Sequence, residues 1–499
     1  MKKLTTLSAI MAGLFCTSSF ANLSKQSTTV AEYAVKQYQS TQIHTLANLV
    51  SFPTVNKEGV DTTQNPDFIG FKSLVKLKAA ELGFQYEDHG HVLLISYGNQ
   101  ADKVTVVTHG DVQPADASKW KNSPFYLDET SEPGKLIARG SEDDKGAIAT
   151  ALYAMKAIKD KGVVLNNKLE LMIYLAEESD WDPIKAFLKT YDQPKFAVTI
   201  DASYPVVVAE KGWSLIEPTF AGETQTKGLS VSQLKGGSFK SQIPEDASVI
   251  LHNADADLLQ QLKQKANHFD KVKIKFEPVD SGTLISVKGV SAHSSEPENG
   301  INAIAHLGAL FQGVDLGLNS DGQALKFIAD LLGTDIHGEQ FGDIAYSHDF
   351  MGPMTVAPTL LAAKENGITL SINLRRPAGK TAERLDTEIH TAIDAWQSRY
   401  QVELAHLEVE LGDPMLLDGA PHAEKLLDIF KHYTKDQSAG FVSIGGGTNA
   451  KLFTNAVSFG PSMPNAKYTG HSEHEFITVK QLELNLRMYT AMMIELGNM

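Results

Sequence analysis

The chain of 499 residues carries 45 Lys and Arg against 60 Asp and Glu, a formal charge of −15. That balance argues against nucleic acid and anionic membrane surfaces as partners, since both repel a strongly acidic protein. The single cysteine, Cys16, excludes a disulfide framework, a thiolate metal site and a cysteine nucleophile from everything that follows it, and the length suits two or three domains whose cores need no covalent staples.

In chain order, Lys2 and Lys3 precede an apolar run from Leu4 to Cys16, and Ser19-Phe20-Ala21 has small residues at its first and third positions. This is the pattern of a secretory signal. The run is shorter than the roughly 20 residues that span a bilayer, and Leu14 and Phe15 are bulkier than a lipidation site before Cys16 tolerates. Cleavage after Ala21 is expected, giving a bacterial protein that is periplasmic or secreted. No other apolar run is long enough for a span, and no repeat or low-complexity tract is present.

Val30 to Leu49 has amphipathic helical spacing that stops at Ser51-Phe52-Pro53, and Asp67 to Leu82 reads as a second helix with Gly83 as its C-cap. His91 to Tyr97 and Lys103 to Thr108 read as strands joined by the polar turn Gly98 to Asp102. The second of them runs into His109-Gly110-Asp111. Gly140-Ser141-Glu142-Asp143-Asp144-Lys145-Gly146 then opens a helix over Asp144 to Lys161. A strand over Lys168 to Leu175 runs into Glu177-Glu178, and one over Lys195 to Ile200 runs into Asp201. Short apolar strands alternating with helices predict an α/β fold with a mostly parallel or mixed sheet flanked by helices. Ligands of such sheets bind beyond the carboxyl ends of the strands. His109, Glu177, Glu178 and Asp201 should therefore meet on one edge, where a divalent cation, or a pair, relieves the repulsion among the carboxylates.

Each group has a plainer reading by itself. His109 and Asp111 fit an ordinary turn, Asp143 and Asp144 suit any helix N-terminus, and Glu177-Glu178 suits a solvated surface. At the end of a buried strand, however, two adjacent glutamates diverge, so one can hold metal while the other takes a proton from water. Asp111 is placed to orient the His109 ring.

From Lys211 to about Pro414 the pattern changes. Leu284 to Val287 and Ile368 to Leu374 read as strands, Thr381 to Tyr400 as a helix, and Val402 to Leu411 as the strand after it. The stretch from Asn319 to Met354 has no clean period. Ala420 to Tyr433 is a further amphipathic helix, and Phe441 to Ile444 leads into Gly445-Gly446-Gly447-Thr448-Asn449. Those glycines permit close backbone approach to a substrate, or simply form a flexible turn; without Lys-Ser/Thr after them they are no phosphate loop. On spacing alone, His293 is a loop histidine and Arg375 a strand-end arginine.

The ordered set resembles a family. His109-Gly-Asp111, Gly140-x-x-Asp143-Asp144-Lys145-Gly146, Glu177-Glu178, Asp201, Gly289-Val290-Ser291-Ala292-His293, Pro297-Glu298-Asn299-Gly300, Arg375, Gly445-Gly446-Gly447-Thr448 and His471-Ser472-Glu473-His474-Glu475 resemble, in order, the signatures of the M20 metallopeptidases, and among them the PepV-like dipeptidases. The resemblance implies a zinc-peptidase fold in two parts, 22–210 and 415–499, with an inserted α+β lid over 211–414. It implies two divalent ions, zinc with manganese or cobalt also suited. Asp143 would bridge them, with His109 and Asp201 at one and Glu178 and His471 at the other. It makes Glu177 the general base, Asp111 a catalytic partner behind His109, and His293 the lid donor to the oxyanion. Arg375 would meet the substrate carboxylate, with Gly446 and Gly447 alongside. The expected activity is hydrolysis of dipeptides or short peptides. The alternatives are an N-acyl amino acid deacylase or carboxypeptidase of the same superfamily, and a peptide-binding protein without catalysis. The roughly ninety residues between Asp201 and His293 resemble the enlarged lid of the PepV type, which implies a monomer. Two positions depart from the family pattern: Ser241 stands where relatives carry Asn, and His474 where they carry Asn or Asp.

Overall fold

A computed structural model describes residues 23–57, 59–222, 228–365, 367–417 and 419–499. The leader and Cys16 lie outside the described residues. Among those described, no helix is long and apolar enough to cross a membrane.

The first sheet is mixed. Its order is Gln85–Asp88, Val92–Tyr97, Lys168–Tyr174, Lys103–His109, Phe196–Thr199, Ala456–Ser458, Val206–Glu210 and Met415–Leu416, with Phe441–Ile444 also paired to Val206–Glu210. Lys103–His109 is parallel to both Lys168–Tyr174 and Phe196–Thr199. The carboxyl ends of these three strands therefore share one edge. Gly98 to Asp102 does not close a hairpin, because Lys168–Tyr174 inserts between the two strands it connects. These strands are buried on both faces, which is why they read as continuous apolar runs.

Helices Lys25–Val50, Lys145–Asp160 and Val479–Gly497 pack together against one face and build the main core. Lys145–Asp160 is buried nearly all round, as its alanine-rich sequence requires. The first helix begins five residues before the apolar periodicity does, because the Ser24 side chain caps the Ser27 N–H and admits a polar first turn. Pro66–Leu82 starts on an Asn65 cap and ends at Gly83, which has φ +76°, the left-handed geometry that glycine supplies most cheaply.

All eight strands of the second sheet lie between Gly212 and Leu411, and all its pairings are antiparallel. Strand Gly367–Arg376 shows how its faces divide. Ile368, Leu370, Ile372 and Leu374 join a core with Phe220, Phe327 and Trp396 under helices Ser320–Phe327 and Ala382–Tyr400. Thr369, Ser371, Asn373 and Arg375 occupy the opposite face, as the two-residue period of a strand demands. The expected strand from Val402 begins only at His406, since Gln401 caps the preceding helix with φ +53° and turns the chain. The two crossings between the sheets touch backbone to backbone: a Cβ at Gly212 would fall 2.0 Å from the Gly412 carbonyl oxygen. The architecture is the expected α/β fold with a mixed sheet flanked by helices and an inserted α+β unit.

Candidate metal centre

His109 ends its strand with an imidazole 1% exposed. Its Nδ1 lies 3.0 Å from the Asp111 backbone oxygen. With Nδ1 tied there, Nε2 points at Asp143 Oδ1, 2.8 Å away, and at Asp201 Oδ1, 3.7 Å away; the same nitrogen would offer its lone pair to a bound cation in place of a proton. Asp143 comes from the loop before helix Lys145–Asp160, and its peptide bond to Asp144 is cis. On its other side His471 Nε2 lies 3.2 Å from Asp143 Oδ2 and 3.0 Å from Glu178 Oε1. The structure thus forms two triads, His109/Asp143/Asp201 and Asp143/Glu178/His471, each with ligand atoms within 4.8 Å of one another. They share Asp143. Imidazole nitrogens and carboxylate oxygens aimed at common points suit a divalent cation in each triad, and the donor set fits zinc, manganese or cobalt.

The charges of the site conflict as they stand. Burial, reinforced by the Asp201 charge, pushes the Glu177 carboxyl well above its usual range. Burial, opposed by His109, lifts Asp201 to about 6. Burial on its own would depress His109 and His471, yet Asp201 and Glu178 respectively head the carboxylates that hold them well above the usual imidazole range. Against its own burial, Asp143 is pulled well below by His109 and His471. Here protons on the imidazoles do the work that cations would otherwise do.

The neighbours of Glu177 differ from expectation in one respect. The Asp111 side chain is not the main brace of His109, since its Oδ1 stands 3.6 Å from Nδ1 and the backbone carbonyl holds the ring. Its carboxylate instead accepts the Glu177 and Glu178 backbone N–H groups at 3.0 and 3.1 Å, and Asn56 Nδ2 at 2.9 Å. Asp111 therefore fixes the turn from which both glutamates project. Gln113 Nε2 donates to Glu178 Oε2 at 2.9 Å, and Tyr468 donates to Asp143 Oδ2.

From the inserted unit, His293 reaches the same place. Its ring centroid is 5.6 Å from that of His471. The Ser295 N–H donates to His293 Nδ1 at 3.2 Å, which leaves the ring proton on Nε2. Burial first, then the Arg375 and His471 charges, hold this imidazole well below its usual pKa and hence neutral. Arg375 is buried; it donates to Asn373 Oδ1 at 2.9 Å, Ser294 Oγ at 2.9 Å and the Gly445 carbonyl at 3.3 Å. Burial brings its guanidinium down to about 9. The glycine loop runs under this contact, and a Cβ at Gly445 would meet the Ser295 carbonyl oxygen at 2.2 Å. Gly446 and Gly447 follow, and buried Glu210 anchors the end of the loop by accepting the Thr448 N–H at 2.9 Å and its hydroxyl at 2.6 Å.

His474 turns away from the centre and pairs with Glu132 at 2.8 Å on the surface. Ser241 offers its backbone oxygen to the Ser294 N–H at 2.9 Å, so the position matters for seating the His293 strand whatever its side chain does. Asn56, Gln113, Glu142 and Glu210 escaped the sequence reading. They act on backbone or on other side chains across long sequence distances, and no local spacing marks such partners.

The profile of Peptidase family M20/M25/M40 matches residues 105–495. The Beta-Ala-Xaa dipeptidase of Lactobacillus delbrueckii subsp. lactis is 27% identical over 404 residues, covering 81% of this chain and 83% of that one. Human carnosine dipeptidase 1 superposes with a TM-score of 0.58 at 14% identity, over 95% of this chain and 100% of that one. The dipeptidase Dug1p of Saccharomyces cerevisiae gives the same TM-score and identity over 95% and 99%. These two likenesses show a common fold. With the family profile spanning both halves of the first sheet and the inserted unit between them, the chain belongs to peptidase family M20/M25/M40.

Proposed function

We propose that this chain is a dinuclear metallopeptidase that hydrolyses dipeptides or short peptides bearing a free carboxylate. The observation that carries the reading is the sharing of Asp143 between two ligand triads with Glu177 beside both. Ions held by His109, Asp143 and Asp201 and by Asp143, Glu178 and His471 would polarise the scissile carbonyl and acidify the attacking water. Glu177 takes the proton of that water and passes it to the leaving amine, a role suited to a half-buried carboxyl whose affinity for protons is raised. His293 Nε2–H donates to the oxyanion of the tetrahedral intermediate, which its neutral state and tautomer support. Arg375 offers its remaining N–H groups to the substrate carboxylate, with Gly446 and Gly447 close to the peptide backbone. The 211–414 segment acts as a lid that brings His293 and Arg375 to the metals. The sequence of residues 1–21 supports a periplasmic or secreted protein, and the enlarged lid a monomer.

An N-acyl amino acid deacylase would use the same residues, so the two readings part at the substrate amine. The dipeptidase names of the relatives favour the first. Metal-loaded protein is expected to hydrolyse an unmodified dipeptide and leave its N-acetylated form essentially intact. Equal or faster cleavage of the acetylated form would reassign the chain to deacylation.

A further inference from the structure

Two glutamates outside the ligand set each hold the backbone of the other's loop. Glu475, fully buried, accepts Arg139 Nη1 at 2.8 Å and the Gly140 N–H at 3.0 Å on one oxygen. Its other oxygen accepts the Glu142 and Asp143 N–H groups at 2.9 and 3.0 Å. The loop that presents Asp143 therefore hangs from a carboxylate four residues after His471. In return, Glu142 Oε2 accepts the Thr469 N–H at 2.7 Å, the Thr469 hydroxyl at 2.5 Å and the Gly470 N–H at 3.2 Å. Its Oε1 accepts Ser462 Oγ at 3.2 Å. The loop that presents His471 thus hangs from the residue before Asp143.

This arrangement has a local purpose. His471 has φ +52°, a left-handed conformation that is unfavourable for a residue with a Cβ and persists only where its surroundings enforce it. Charge-assisted bonds to the two preceding residues supply that enforcement. His109 and Asp201 have no such need, because they leave the ends of paired strands in the sheet interior.

We infer that Glu142 is a positioning residue for the Asp143/Glu178/His471 metal site, holding Thr469 and Gly470 so that the His471 imidazole meets Asp143 and Glu178. It belongs to neither ligand triad. Glu475 performs the reciprocal task for Asp143 and so serves both sites. The inference rests on the two-ion reading above, and its test separates the two.

The experiment is a calorimetric titration of zinc into metal-stripped protein, comparing wild type with Glu142→Ala and Glu142→Gln, beside thermal melts of the metal-free forms. Wild type should bind two ions per chain. Glu142→Ala should weaken one of the two sites by about 10–100-fold, the range seen for groups that orient metal ligands, and leave the other within about threefold. Glu142→Gln, which keeps one acceptor oxygen, should fall between. Unchanged binding at both sites would overturn the assignment. So would equal weakening of both sites together with an early melt, which would make Glu142 a general structural residue. Fewer than two ions in wild type would remove the two-ion reading, and the inference with it.

Discussion

Glu177→Gln is expected to lower kcat for dipeptide hydrolysis by about 10³-fold, within the range for loss of a general acid–base group, while the protein still binds its full complement of ions. The amide matches the carboxylate in shape, and the main chain beneath it stays clamped by Asp111, whose oxygens hold the Glu177 and Glu178 N–H groups at 3.0 and 3.1 Å. The side chain takes no hydrogen bond that would tie it to a structural task among the described residues; its surroundings are burial and the charges of Asp201, His109, Glu178 and Asp111. The substitution therefore removes proton transfer alone. Steady-state kinetics with an ion count on the same sample check it. A kcat within about threefold of wild type would show that another group accepts the proton.

Arg375→Ala is expected to lower kcat/KM for a free dipeptide by about 10²-fold or more, since truncating one partner of a buried charge pair costs about 2–5 kcal/mol. The guanidinium meets no carboxylate among the described residues; its bonds go to Asn373, Ser294 and Gly445, all neutral. A buried cation so placed has lost water without gaining a counterion, as its downward shift to about 9 records, and a substrate carboxylate would complete it. Arg375→Lys should restore little, because an ammonium lacks the planar fork. The control is a C-terminally amidated dipeptide, against which wild type and variant should differ by no more than about threefold. An equal loss on both substrates would assign Arg375 to holding the Gly445 loop instead.

The candidate ligands His109, Glu178 and Asp201 and the proposed base Glu177 are legible in the sequence because parallel strands buried on both faces read as apolar runs, and each run here ends on or just before one of them. His471 and Asp143 sit on loops and were placed by family resemblance, not by period. What escaped was set by contacts remote in sequence. Asp111 was expected to hold a neighbour two residues away, yet its carboxylate serves a turn about sixty-six residues on, matching its 66- and 67-residue separations from Glu177 and Glu178. Glu142 carries no role in the sequence reading, and only the fold brings it to Thr469. The stretch from Asn319 to Met354 defied assignment because its helix, Ser320–Phe327, is short, continues into a wider turn over Ile328–Leu332, and gives way to loops tied by bonds such as His337 Nδ1 to the Met354 carbonyl at 3.0 Å. Such ties carry no periodic signature.

The most direct test of the whole account is hydrolysis of an unmodified dipeptide by protein stripped with a chelator and then titrated with zinc, manganese or cobalt. The stripped protein should show no turnover, and activity should return as the second ion binds. Undiminished hydrolysis after stripping, or none once two ions per chain are bound to folded protein, would contradict it.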